Sequence, residues 1–227
     1  MPKDNKEKLL PKYRGWLTAA EIAEGMNASQ RNAKRLYADA KLLYEHGRYP
    51  SSLGLACLSI EESAKVSLLR GFATAEDVDV IKRRWREFRN HSHKTFPWSW
   101  LNVFARKLRE LRGLDPGPKL RPEEKDTLPV LKEISFYVDC NGNKHWAEPE
   151  SVVGEDLCQS ILHQARIFSE PKDDVTIREI ELWANYVGED ERDANKLIDW
   201  HKAMVEEGLS SKSHETFVAF VKEYIGT

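Results

Sequence analysis

The residues best suited to chemistry sit in two polar clusters within otherwise ordinary helical sequence. One is Glu61-Glu62-Ser63-Ala64-Lys65, and the other is Arg83-Arg84-Trp85-Arg86-Glu87-Phe88-Arg89-Asn90-His91-Ser92-His93-Lys94. Arginine and histidine together suit metal-independent cleavage of RNA. In that reaction the 2′-hydroxyl must lose a proton, the 5′-oxygen must gain one, and the extra charge on the phosphate must be held. Imidazole titrates near neutral pH, while guanidinium stays charged and grips phosphate oxygens with a planar fork. Arg86 and His91 form an Arg-x4-His pair, and Arg84/His91 and Arg86/His93 each leave six residues between. This chemistry needs no metal or cofactor, and no Cys/His spacing in the chain makes a zinc site persuasive. A basic helical face is usually a solvated surface, and the spacing taken alone favours that reading.

Side chains three, four and seven apart share a helix face. Glu62 therefore falls with Leu55, Leu58, Ser59, Val66 and Leu69, a mostly apolar stripe. Glu61 falls nearer Cys57, Leu58, Ala64, Lys65 and Leu68. A carboxylate on an apolar face is costly unless paired, and Lys65, one turn beyond either glutamate, is the local partner. Two readings stay open: a solvated Glu–Lys pair of small energetic weight, or a buried polar site whose Glu also receives Arg or His from the next helix. His46, His145, His163, His201 and His214 are isolated and read as surface or core residues. Trp85 and Phe88 read as core anchors of their helix, and Trp98 and Trp100 as packing residues.

The elements that must position these groups are mainly helices. Residues through Trp16 are polar and read as loosely ordered. Thr18 with Glu21 fits a capping box, starting a stretch that Gly25 and Asn27 interrupt. A clearer pattern runs from Ser29 through Leu36, Ala40 and Tyr44 to a stop at Gly47 and Pro50. A second helix spans about Ser51 to Phe72. Thr74 with Asp77 caps a third, and Pro97 opens a fourth that ends at Gly113. Asp115 to Pro129 reads as loop. Ile134–Asp139 and Lys144–Trp146 flank Asn141-Gly142 as a small hairpin. Helices resume near Glu150–Phe168, and three more finish the chain, at about 174–187, 190–207 and 213–225.

Composition narrows the function. At 227 residues the chain can bury a sizeable core, and its formal net charge of −2 gives no whole-protein attraction to nucleic acid. Locally, Lys82 to Arg112 holds ten Lys/Arg against Glu87 and Glu110, a footprint for polyanions. Cys57, Cys140 and Cys158 make no disulfide framework. The charged N-terminus precedes no apolar stretch and no run is long enough to span a bilayer, so no membrane association is expected and the cytoplasm is the expected compartment.

The run Ala40-Lys-Leu-Leu-Tyr-Glu-His-Gly-Arg-Tyr-Pro-Ser-Ser-Leu-Gly-Leu-Ala-Cys-Leu-Ser-Ile-Glu-Glu-Ser-Ala-Lys65 resembles the opening helix pair of AbiV-type abortive-infection proteins, part of the HEPN superfamily. Phe88-Arg-Asn-His-Ser-His-Lys94 is similar to that family's His followed three residues later by Lys. Phe136-Tyr-Val-Asp139 and Trp146-Ala-Glu-Pro149 resemble its later segment. The resemblance covers about residues 30–170. It implies a compact antiparallel helical bundle. With the pattern above, the chain reads as all-α: a bundle with a small β-hairpin over residues 18–170 and a C-terminal helical extension over 171–227 that the resemblance does not cover. The resemblance also implies a homodimer in which Arg and His of two protomers share one cleft. By position, Arg86 and His91 would be catalytic, with Glu61, Glu62, Lys65, Arg89, His93 and Lys94 as a supporting polar shell. Superfamily members commonly place a polar residue after the Arg. Arg89-Asn90 meets that but is followed at the His position by Lys94, whereas Arg86 has the right spacing and Glu87 after it.

The expected function is therefore a phage-defence toxin that cuts RNA and stops translation, with RNA or the ribosome as target and a phage-encoded protein as possible activator. The rival reading is a non-catalytic inhibitor that binds RNA, ribosome or a phage protein and uses the polar centre only to fix the dimer.

Overall fold

The computed structural model describes residues 11–89, 127–140, 146–170, 173–188 and 193–224. Helix α1 (Ala19–Glu45) starts where Thr18 and Glu21 satisfy each other's backbone N–H groups. It stops before Gly47, whose φ of 69° favours glycine. Gly25 and Asn27 do not interrupt it. A Cβ at Gly25 would lie 3.3 Å from Leu69, so the glycine allows close packing. The Asn27 amide bonds both backbone groups of Val175, at 2.8 and 3.0 Å. Tertiary contacts thus use both presumed helix breakers while the helix runs through.

Helix α2 (Tyr49–Arg70) follows after a three-residue link, with Pro50 in its first turn, where no intrahelical N–H is needed. Ser52 Oγ donates to the Ala40 carbonyl at 2.7 Å and Ser59 Oγ to that of Ala33 at 2.8 Å. Both pairs step by one heptad in opposite chain directions, so α1 and α2 are antiparallel with small residues along the seam. A 3-10 turn (Gly71–Thr74) leads to α3 (Val78–Arg89). Its cap is Asp77, which accepts from the N–H groups of Asp79 and Val80. Thr74, the expected cap partner, instead bonds the Gly71 carbonyl.

Helix α4 (Thr127–Phe136) occupies sequence that reads as loop up to Pro129 and as strand from Ile134. Pro129 lies in its first turn, where proline is tolerated. The strand signal shrinks to β1 (Asp139–Cys140) and β2 (Trp146–Ala147), paired antiparallel with Asp139 opposite Ala147. A single turn, α5 (Pro149–Val152), precedes α6 (Glu155–Ser169), α7 (Ile177–Tyr186), α8 (Ala194–Glu206) and α9 (His214–Tyr224). The helix expected over Pro97–Gly113 and the Asn141-Gly142 turn lie outside the described residues. The fold is all-α with one small antiparallel element.

The α1–α2 pair is the spine. Toward one end Leu53, Ala56, Cys57 and Ile60 pack with Leu128 and Leu131 of α4 and Cys158, Ile161 and Leu162 of α6. Toward the other, Ile22, Met26, Leu69 and Phe72 pack with Ile81 and Trp85 of α3 and Ile180 of α7. Smaller apolar clusters join α7, α8 and α9. Among the described residues no helix is long and apolar enough to cross a membrane.

Candidate functional site

Helix α2 presents its two glutamates to different neighbours, because successive residues turn about a quarter of the way round a helix. Glu61 is 3% exposed, and Lys132 of α4 donates to its Oε1 at 2.6 Å. This corrects the expectation that Glu62 is the carboxylate on the apolar face and that Lys65 serves either one. Burial, and then the charge of Glu61, push the Cys57 thiol up to about 12. Glu62 pairs with Lys65, both side chains being 18% exposed. The Lys65 ammonium also lies 5.5 Å from the centroid of the Phe88 ring on α3. There are therefore two acid–base pairs, one facing α4 and one facing α3.

Helix α3 buries Ile81 and Trp85, exposes Lys82, Arg83 and Arg86, and keeps Arg84 and Arg89 half-buried. Lys82 bonds Asp79 at 2.9 Å, and Arg83 and Arg84 lie 4.0 and 3.8 Å from Glu87. Arg86 is exposed and has no acidic partner among the described residues. The Arg89 guanidinium lies over the Trp85 ring at 4.5 Å and donates to the Tyr13 carbonyl. Burial, reinforced by nearby Arg14, holds its pKa below the ordinary guanidinium value. His91, His93 and Lys94 lie outside the described residues.

The segment before α1 is not loosely ordered over residues 11–17. Trp85 Nε1 donates to the Gly15 carbonyl at 2.8 Å, and the Tyr13 ring meets Trp85 edge-on at 6.0 Å. It straps the end of α3 that leads to His91. Nothing in the local pattern of residues 11–17 signals this, since the contacts join positions some seventy residues apart.

Lys132 is the other residue that sequence reasoning misses. Leu128, Leu131 and Ile134, three apart, mark a helical face that could have revealed α4. Its pairing with Glu61 across 71 positions could not be read locally. Two histidines taken as isolated also meet. His201, 3% exposed, has Nδ1 3.3 Å from His214 Nδ1 and stacks on Phe217 at 4.1 Å.

The arrangement combines an exposed arginine without an acidic partner among the described residues and a helix end fastened by aromatic contacts. A Glu61–Lys132 pair joins α2 to α4, and the ammonium of a Glu62–Lys65 pair on α2 meets Phe88 of α3. Comparison with known proteins adds one finding. A family model described as AbiV, of the HEPN class, matches residues 21–170, about two thirds of the chain. No curated protein and no solved structure matches it.

Proposed function

We propose that this chain, which belongs to the AbiV family of HEPN proteins, is an abortive-infection toxin that stops translation by cutting RNA without a metal. Two copies pair so that Arg and His of both line one cleft. His91 takes the proton of a 2′-hydroxyl as its oxygen bonds to phosphorus. Arg86, aided by Arg89 and Lys94, holds the equatorial phosphate oxygens as charge builds on them. The bond to the 5′-oxygen breaks, the proton passes to that oxygen, and the products carry a 2′,3′-cyclic phosphate and a 5′-hydroxyl. His93 is the reserve proton carrier. Glu62 and Lys65 steady the end of α3 through Phe88.

The observation that carries this reading is the state of Arg86. Lys82, Arg83 and Arg84 each have an acidic neighbour, whereas Arg86 is exposed and has none among the described residues. An arginine left uncompensated beside a fixed helix end suits an anionic ligand.

The test is expression of wild-type, Arg86→Ala and His91→Ala chains in cells, with mapping of RNA ends. Wild type should arrest growth and leave cyclic-phosphate ends. Either variant should fold yet cut about 10²-fold or more slowly. A folded, fully toxic His91→Ala chain would remove the proton-transfer role. Intact RNA together with halted translation in an extract would move the reading to occupancy of RNA, ribosome or a phage protein.

A further inference from the structure

The strap before α1 lies outside the family match, which begins at residue 21, yet it is fastened to the basic helix at two points. The Gly15 carbonyl accepts from Trp85, and the Tyr13 carbonyl accepts from Arg89. These anchors bracket the exposed Arg14, whose charge acts on Arg89 at the end of α3 that also carries Arg86. Residues 11–17 contain Lys12 and Arg14 and no acid. The next acid, Glu21, is engaged in the α1 capping box. Tyr13, 57% exposed, offers a ring beside these cations, braced against Trp85 and tied by its hydroxyl to the Trp16 carbonyl at 2.8 Å.

Purely structural work needs only the two carbonyls and the edge of Tyr13. It does not account for an arginine placed next to another arginine, where their repulsion is left uncompensated by any nearby acid of the strap. A strand of negative phosphates would relieve that repulsion, and an exposed aromatic ring beside it suits an unpaired base.

We propose that the strap is a second part of an RNA-binding face, with Arg14 and Lys12 taking backbone phosphates and Tyr13 stacking a base of single-stranded RNA that continues onto α3 at Arg86. This rests on the reading of the chain as an RNA-acting protein and extends its footprint beyond the family-matched segment. The strap positions substrate and takes no part in bond breaking.

The test uses the full chain and a short, fluorescently labelled, 2′-O-methyl single-stranded RNA, which can be bound but not cut. Affinity is measured across a salt series. Arg14→Gln should weaken binding roughly three- to tenfold and flatten the plot of log affinity against log salt by about 0.7, the share of one phosphate contact on single strands. Arg14→Lys should keep the slope. Tyr13→Leu should weaken binding about fivefold or more while leaving the slope unchanged, as for a lost stacking contact. Trp85→Phe, which removes the Gly15 anchor, should move both quantities in the direction of Arg14→Gln. Unchanged affinity and slope in Arg14→Gln would overturn the strap's role while leaving the ribonuclease reading intact. Arg14-dependent binding without cleavage of natural RNA would uphold the strap and sink the ribonuclease reading. Failure of the wild-type chain to bind the RNA at all would overturn both.

Discussion

Removing Lys132 takes from the buried Glu61 its ion-pair partner on α4. At 3% exposure the Glu61 carboxylate has little water to replace the 2.6 Å ion pair. Lys132→Met should lower the unfolding free energy in urea titrations by about 1–3 kcal/mol. Adding Glu61→Gln should return part of that loss, since the two sites are coupled. Gly54 has a similar dependence on one neighbour, because a Cβ there would fall 2.2 Å from the Phe136 ring. Gly54→Ala should cost about 1–2 kcal/mol by displacing that ring, and much less when Phe136 is already Ala. The helical wheel put Glu62, rather than Glu61, on the apolar stripe for a physical reason. Helix α2 is covered by α1, α4 and α6, and Ser52, Leu53, Gly54, Ala56, Cys57, Ser59, Ile60, Glu61, Ser63 and Ala64 are all buried. A helix buried on most sides has no single stripe for the wheel to find.

Between elements, short polar bridges decide what local sequence leaves undetermined. Asn27 ties α1 to the segment leading into α7, and it looks like a helix breaker only while that partner is unseen. Asn27→Ala should lower stability by about 1–2 kcal/mol and raise hydrogen exchange in α7 before it rises in α2. The capping box at Thr18, the Gly47 stop and the three C-terminal helices were legible because their signals lie within one or two turns. Helix α4 was not, since Pro129 and the β-branched and aromatic residues after it favour other readings until α2 and α6 supply a core for Leu128 and Leu131. The contact between α8 and α9 should respond to pH. Burial, followed by the charges of His214 and Lys212, holds the His201 pKa below its ordinary value. The unfolded chain protonates this ring near pH 6.5 and the folded chain only at lower pH. Below about that pH the unfolded state therefore binds more protons, and stability falls as the solution is acidified. Melting temperature measured from pH 8 to 5 should drop more steeply in wild type than in His201→Gln.

Across the whole molecule, a net charge of −2 coexists with a concentrated basic edge where the strap crosses α3. On the proposed reading, attraction for a polyanion is local and should weaken sharply with salt. The fold class and the family were legible early, through the ordered run from Ala40 to Lys65 and the later segments, and the family match spans residues 21–170. The strap and the Glu61–Lys132 pair were not, because both join positions about seventy residues apart. Whether Arg86 and His91 cut RNA by attack of its own 2′-hydroxyl is settled by incubating purified protein with single-stranded RNA in excess chelator and analysing the new ends. Wild type should leave 2′,3′-cyclic phosphate and 5′-hydroxyl ends, and folded Arg86→Ala or His91→Ala protein almost none. RNA left intact by wild type, or cut to 3′-hydroxyl ends, would rule this chemistry out.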